Sequence, residues 1–275
     1  MDSKKKVTAS GVWRAVYPVL LYEAVQFFVS VFYTAALLLP DLIKGTSWNR
    51  VQDTFLSRYM AGTVTIVLIG AVIAFPLFGW MYYRDTKRRN FSRWKEMPTE
   101  GKLLWVVIGS GALALFANNI ISLTQLIRIS ESYQETSEAL NMGSIWLRMA
   151  CVGFLAPAVE ELLMRGLFYQ RFRDMAGVHA SMFFSALAFG IIHGNIVQGV
   201  YAFAVGLFFA WLMERYQRII APVLAHMSAN LFVVLLGEGS VADLLFGTPA
   251  GFFGATLVSG LVFLCAFWML RKEED

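Results

Sequence analysis

Residues 158–165 read Ala158-Val159-Glu160-Glu161-Leu162-Leu163-Met164-Arg165, three charges set inside an apolar run from about Ile145 to Phe172. A helix crosses the hydrocarbon core with roughly 20 apolar residues, so the run is long enough to span a bilayer. Charged side chains at that depth are costly and mark function. Glu161 and Arg165 stand four residues apart, share a helix face and can pair. Glu160 points about 100° away from that face, because successive helical residues are rotated by that angle. It must meet a partner on another helix, hold a proton, or face water. Pro157 precedes it and is expected to bend the helix, opening space beside the carboxylate.

The rest of the chain agrees with a membrane reading. Of its 275 residues, 57% are hydrophobic and only 15% charged, whereas soluble domains carry about 25% charged residues. Spanning segments must satisfy their backbone internally, which predicts an all-α fold: a polytopic membrane helical bundle of about eight transmembrane helices. The other seven candidate spans run from about Ala15 to Leu39, Met60 to Tyr83, Leu103 to Ile127, Val178 to Gly194, Ile196 to Met213, Ile219 to Gly237 and Gly251 to Leu270. Gly194-Asn195 alone separates the fifth span from the sixth, so the turn must be tight, or the two form a re-entrant pair. The chain is expected to form one membrane domain over residues 1–275, with its catalytic helices in 145–237. The Lys4-Lys5-Lys6 start is read as flanking an uncleaved first span.

Lysines and arginines set orientation. They crowd the segment from Arg84 to Lys102, recur at Arg171, Arg173, Arg215, Arg218, Arg271 and Lys272, and join Lys4, Lys5, Lys6 and Arg14 at the N-terminus. With eight spans all of these share one side, placing both termini in the cytoplasm of a multi-pass cell-membrane protein. Glu131, Glu135, Glu138, Glu238 and Asp243 fall in acidic loops on the other side, where Lys44, Arg50 and Arg58 are the exception. Phe91 and Trp94 among the basic residues suggest either a helix lying on the membrane surface or a solvated loop. The net charge of +4 is spread over short loops rather than a stripe, which argues against nucleic acid. Cys151 and Cys265 lie in apolar runs and read as buried thiols.

Two more spans carry polar groups. His193 closes Phe189-Gly190-Ile191-Ile192-His193-Gly194, whose glycines permit close helix approach. His226 and Asn230 lie four apart on one face of the seventh span. At about 1.5 Å per residue, Glu160, His193, His226 and Asn230 can meet at one level. Glu160 with His193 could hold and deprotonate a water, and His226 and Asn230 could donate to a developing oxyanion. Ser228 is two residues from His226 and faces away from it. Glu23 and Gln26 in the first span are read as inter-helix polar contacts, with a cavity wall as the alternative. Two histidines with a carboxylate could instead bind zinc and a water, although the His-Glu-x-x-His spacing of zincins is absent. Non-catalytic readings are a proton-coupled transporter, or an immunity or scaffold protein that holds a membrane partner.

Glu160-Glu161-x-x-x-Arg165 resembles the first motif of the CAAX protease and bacteriocin-processing family, also called the ABI family. Phe189-x-x-x-His193 resembles its second motif, and Gly206 through Asn230, ending in His226-x-x-x-Asn230, its later motifs. The resemblance covers about residues 145–237. It implies an intramembrane, metal-independent glutamic endopeptidase without cofactor, acting on a membrane-associated and in some members lipidated protein or peptide. By position, Glu160 and His193 would activate water, His226 and Asn230 would stabilise the oxyanion, and Glu161 and Arg165 would support the site. Archaeal and eukaryotic members cleave near the C-terminus of prenylated proteins. Some bacterial members are linked to bacteriocin maturation or self-immunity.

Overall fold

The computed structural model describes residues 6–236, 243 and 245–272. Lys4, Lys5, Gly237 and Glu238, invoked above, lie outside them. Eleven helices are considered below: α1 (Ala9–Ile43), α2 (Trp48–Ala61), α3 (Thr63–Arg88), α4 (Glu100–Ser122), α5 (Leu126–Ile129), α6 (Glu131–Asn141), α7 (Ile145–Ala176), α8 (Val178–Ile191), α9 (Ile196–Tyr216), α10 (Ile220–Leu236) and α11 (Pro249–Arg271). Among the described residues there is no strand.

Each of the eight apolar runs is helical, and the protein is a polytopic membrane bundle. Five helices, α1, α3, α4, α9 and α11, are long and apolar enough to cross a membrane, and α7, bent from α6 by 114°, makes a sixth if that pair is one span. The expectation of eight full spans is thus reduced by length: α8 has 14 residues and α10 has 17. At about 1.5 Å per residue they rise roughly 21 and 26 Å, short of the roughly 30 Å hydrocarbon core. Gly177, in positive φ, ends α7 and starts α8, and this break is what shortens α8. The third run also stops early, at Ser122, and residues near Ile127 form the single-turn α5.

One buried apolar core draws residues from all eight of these helices, including Val19, Phe78, Val106, Leu163, Phe189, Phe209, Ala225 and Leu270. Helices α8 and α9 touch backbone to backbone, since a Cβ on Gly190 would lie 2.6 Å from the Gly199 carbonyl oxygen. Asn119 of α4 donates to Thr256 of α11 at 2.8 Å, a polar tie between two otherwise apolar faces. The turn between α8 and α9 is tight as expected. Gly194 takes φ of 72°, and the Asn195 side chain caps α9 by accepting from the Gln198 amide at 2.9 Å. Gly194 therefore serves the turn, while Gly190 alone of that pair serves the helix contact.

The basic segment after α3 does not form a surface helix. Residues 89–99 are turns and extended chain, with Asn90 and Phe91 in positive φ. The segment is tied beneath the bundle: Arg89 and Arg93 pair with Asp174, and Arg93 also donates to the Gln170 side chain at 2.7 Å. Arg218 donates to the Lys95 carbonyl at 2.7 Å and lies over the Trp94 ring at 4.2 Å. Deeper at this end, Arg171 donates to Asp85 at 2.6 Å and to the Arg14 carbonyl at 2.6 Å. Arg173 and Tyr169 both donate to Glu214. Opposite, the segment read as an acidic loop is helix α6, with Glu131, Glu135 and Glu138 on its exposed side.

Candidate active site

Helix α7 carries the site because its winding changes on both sides of the glutamates. Met149–Leu155 and Leu162–Tyr169 are π-helical, and Ala156–Glu161 between them is α-helical. Wide π turns re-aim side chains and recur at functional sites. In the first π segment the Ala156 amide bonds the Cys151 carbonyl, five residues back. The next bond in that register would run from residue 157 to the Val152 carbonyl, but Pro157 has no N–H to give. Asn230 of α10 takes that place, its Nδ2 donating to the Val152 carbonyl at 2.9 Å. The bend expected of Pro157 thus has a specific use: a freed carbonyl that fixes Asn230.

Glu161 and Arg165 pair as their spacing implied, Nη1 to Oε1 at 3.0 Å, with both side chains fully buried. The second Arg165 nitrogen donates to the Gly206 carbonyl of α9 at 2.9 Å, and the guanidinium lies over the rings of Phe189 at 4.6 Å and Phe209 at 5.5 Å. A Cβ on residue 206 would sit 2.9 Å from that nitrogen, so a larger residue there would displace the guanidinium. The pair also does something its spacing could not reveal. The same Glu161 oxygen meets His226 Nδ1 at 2.9 Å. With Arg165 donating to this oxygen, Glu161 is the acceptor and His226 carries its proton on Nδ1. The remaining nitrogen, Nε2, is thereby aimed at Glu160, 3.8 Å from Oε2. Phe189 and Phe209 hold the imidazole from the sides, with ring centroids 5.4 and 5.2 Å away.

Glu160, His193, His226 and Asn230 all line one cavity of about 700 Å³. Glu160 is only partly covered, its side chain 18% exposed, whereas Glu161 is sealed in. His193, just past the end of α8, points Nδ1 at the Phe189 carbonyl, 2.8 Å away. A carbonyl only accepts, so Nδ1 bears the proton and Nε2 is the free acceptor of the neutral ring. Glu23 and Gln26 lie on the same cavity wall, and Gln26 bonds within its own helix, to Tyr22 at 3.1 Å. Both readings have support: the two residues are on the cavity wall, and the Gln26 side chain also packs on Gly70 of α3. Ser228 bonds the Val107 carbonyl of α4 at 2.7 Å, away from the histidines. Cys151 and Cys265 are free thiols, and Cys265 is exposed rather than buried. Among the described residues no three His, Cys, Asp or Glu side chains converge as a metal-binding group.

Sequence reasoning did not find the contribution of α6. Tyr133, Thr136, Ser137, Leu140 and Asn141 line the same cavity. Their spacing of three, four, seven and eight residues is one helix face, a signal hidden by reading the segment as a loop. The sequence offers Phe189 only as a motif residue. Its carbonyl and its ring orient both histidines.

The fold and site define a class: a multi-pass membrane protein with a carboxylate and two imidazoles around an internal cavity. Residues 142–232 match the family model described as Type II CAAX prenyl endopeptidase Rce1-like. The chain is also 26% identical over 137 residues to the Bacillus subtilis (strain 168) protein named "Putative membrane peptidase YdiL". That match covers 49% of this chain and 56% of the relative, so the chain spans little more than half the length of the protein it resembles. No solved structure gives a significant match. Both matches are likenesses to the CAAX protease and bacteriocin-processing family over part of the chain, and the family model spans Glu160, His193, His226 and Asn230.

Proposed function

We propose that this protein is an intramembrane endopeptidase in which Glu160 activates a water against a peptide carbonyl. The observation that carries the reading is the arrangement at Glu160: a partly exposed carboxylate on a cavity, 3.8 Å from an imidazole nitrogen whose ring is fixed from behind by a fully buried Glu161–Arg165 pair. Glu161, by contrast, is fully buried against Arg165 and His226. The family match and the name of the Bacillus relative support the same reading.

The steps follow from the ring assignments. A water held between Glu160 and His193 Nε2 gives its proton to the Glu160 carboxylate as its oxygen attacks the carbonyl carbon. The oxyanion is met by the second Nδ2–H of Asn230, the one not spent on Val152; His226 joins as a donor in the form that carries a proton on Nε2 as well as on Nδ1. The C–N bond then breaks and Glu160 returns the proton to the leaving amine, giving one carboxylic acid and one amine, which become carboxylate and ammonium once the acid's proton passes to the amine. Glu161 and Arg165 act through His226 and are positioning residues.

The test is purified protein in detergent with a panel of membrane-anchored and lipidated peptides, read by mass spectrometry for a new C-terminus. Wild type is expected to cut at least one peptide, and Glu160→Gln to lose about 10²–10⁴-fold, the usual worth of a general acid–base group. Equal products from wild type, Glu160→Gln and His226→Ala would remove the mechanism.

A further inference from the structure

The cavity belongs to one end of the bundle. Thr63 opens α3, Arg148 lies near the start of α7 and Val197 near the start of α9; Asn118 and Val233 lie near the ends of α4 and α10, and His193 follows the end of α8. All six line the cavity. The starts of α3, α7 and α9 and the ends of α4, α8 and α10 therefore meet at one face, and the cavity reaches Glu160 from there.

The other face is closed. Continuing along α7 past the glutamates, Leu163, Met164 and Leu167 are fully buried. Beyond them, Arg171 is held by Asp85 and by the Arg14 carbonyl, and Gln170 by Gln217 at 3.1 Å. The loop carrying Arg89, Arg93 and Lys95 is tied across this end. The closed face is thus the basic one. The open face carries Lys44, Arg50, Arg128 and Arg148, with Arg58 paired to Asp41 at 2.6 Å, fewer cations than the closed face holds.

We infer that substrate enters the cavity from the face opposite the basic loops, which is the extracytoplasmic face, and that the substrate is a peptide segment presented from the outer half of the bilayer rather than a lipidated tail offered from the cytoplasm. The sidedness comes from the positive-inside rule, which assigns the Lys- and Arg-rich short loops to the cytoplasm. The chemistry of the entrance fits a peptide. Helix α6 lies at the mouth and turns Tyr133, Thr136, Ser137 and Asn141 into the cavity, hydroxyl and amide groups that can bond a peptide backbone. The rest of the lining is largely apolar, with Ile66, Ile121, Val205 and Phe209, and suits the apolar side chains of such a segment. A cavity of about 700 Å³ holds a short extended segment.

That a peptide is what enters rests on the peptidase reading; the direction of entry does not. The test is cysteine accessibility in a Cys151→Ala, Cys265→Ser background, with the full chain expressed in a bacterial inner membrane. Ser137→Cys and Val233→Cys mark the mouth, from α6 and α10, and Lys87→Cys marks the basic face. A membrane-impermeant maleimide is applied to spheroplasts and to inverted vesicles, with total thiol measured after SDS denaturation. Ser137→Cys and Val233→Cys are expected to label in spheroplasts and lose the signal in inverted vesicles, with Lys87→Cys the reverse. Labelling of all three from one side, or of Val233→Cys from neither, overturns the inference. Labelling needs no turnover. The expected pattern in a protein inert to every peptide would count against the peptidase reading while leaving the route intact.

Discussion

Arg165 has no exposed atom, yet its guanidinium meets a carboxylate, a backbone carbonyl and two aromatic faces. Removing one member of a buried ion pair leaves the other charge uncompensated, which costs roughly 3–5 kcal/mol. Arg165→Met should therefore lower the thermal midpoint in detergent sharply, while the same change at exposed Lys87 should not move it. Ser228→Ala loses one hydrogen bond, to Val107, worth about 1 kcal/mol. It should keep full cleavage activity, and a dead Ser228→Ala protein of normal stability would revive a serine nucleophile. At this scale the sequence was informative wherever one helix carried both partners. The Glu161–Arg165 pair and the shared cavity wall of His226 and Asn230 follow from a spacing of four. The bond from Glu161 to His226 joins residues 65 apart, and no local pattern encodes it. Its effect is to make Glu161 the residue that fixes an imidazole.

Among the elements, α7 departs furthest from the sequence reading. Hydrophobic periodicity marks a helix but not its winding, so the two π segments left no trace in the pattern beyond Pro157. Pro157→Ala restores an N–H that competes for the Val152 carbonyl, the acceptor now bound by Asn230. The variant should fold at least as well as wild type and yet cleave more slowly, its kcat falling while its thermal midpoint holds. A midpoint that drops with the activity would show that the proline matters for packing instead. The α8–α9 contact gives a cleaner sign. A Cβ at residue 190 would meet the Gly199 oxygen at 2.6 Å, and overpacking of this kind costs about 1–3 kcal/mol. Gly190→Ala should destabilise by that amount in a denaturation series. Helix α6 was missed for a different reason: its cavity face is polar, so an apolar stripe was the wrong thing to look for.

The molecule as a whole has two unlike ends, a basic one closed by side-chain ties and another where the cavity opens. Basic loops alone had suggested an orientation. They could not show that Arg171, Arg173 and Arg93 are spent on Asp85, Glu214 and Asp174, because each pair joins distant segments. Number of spans was legible only in part, since α8 and α10 are apolar enough but short. The account stands on Glu160 acting on a water, not merely anchoring a partner. The most direct measurement is binding and cleavage of one peptide by wild type and Glu160→Gln side by side. Binding should be retained within about threefold, under 1 kcal/mol, with cleavage lost. Cleavage that survives in Glu160→Gln at the wild-type rate would contradict the account.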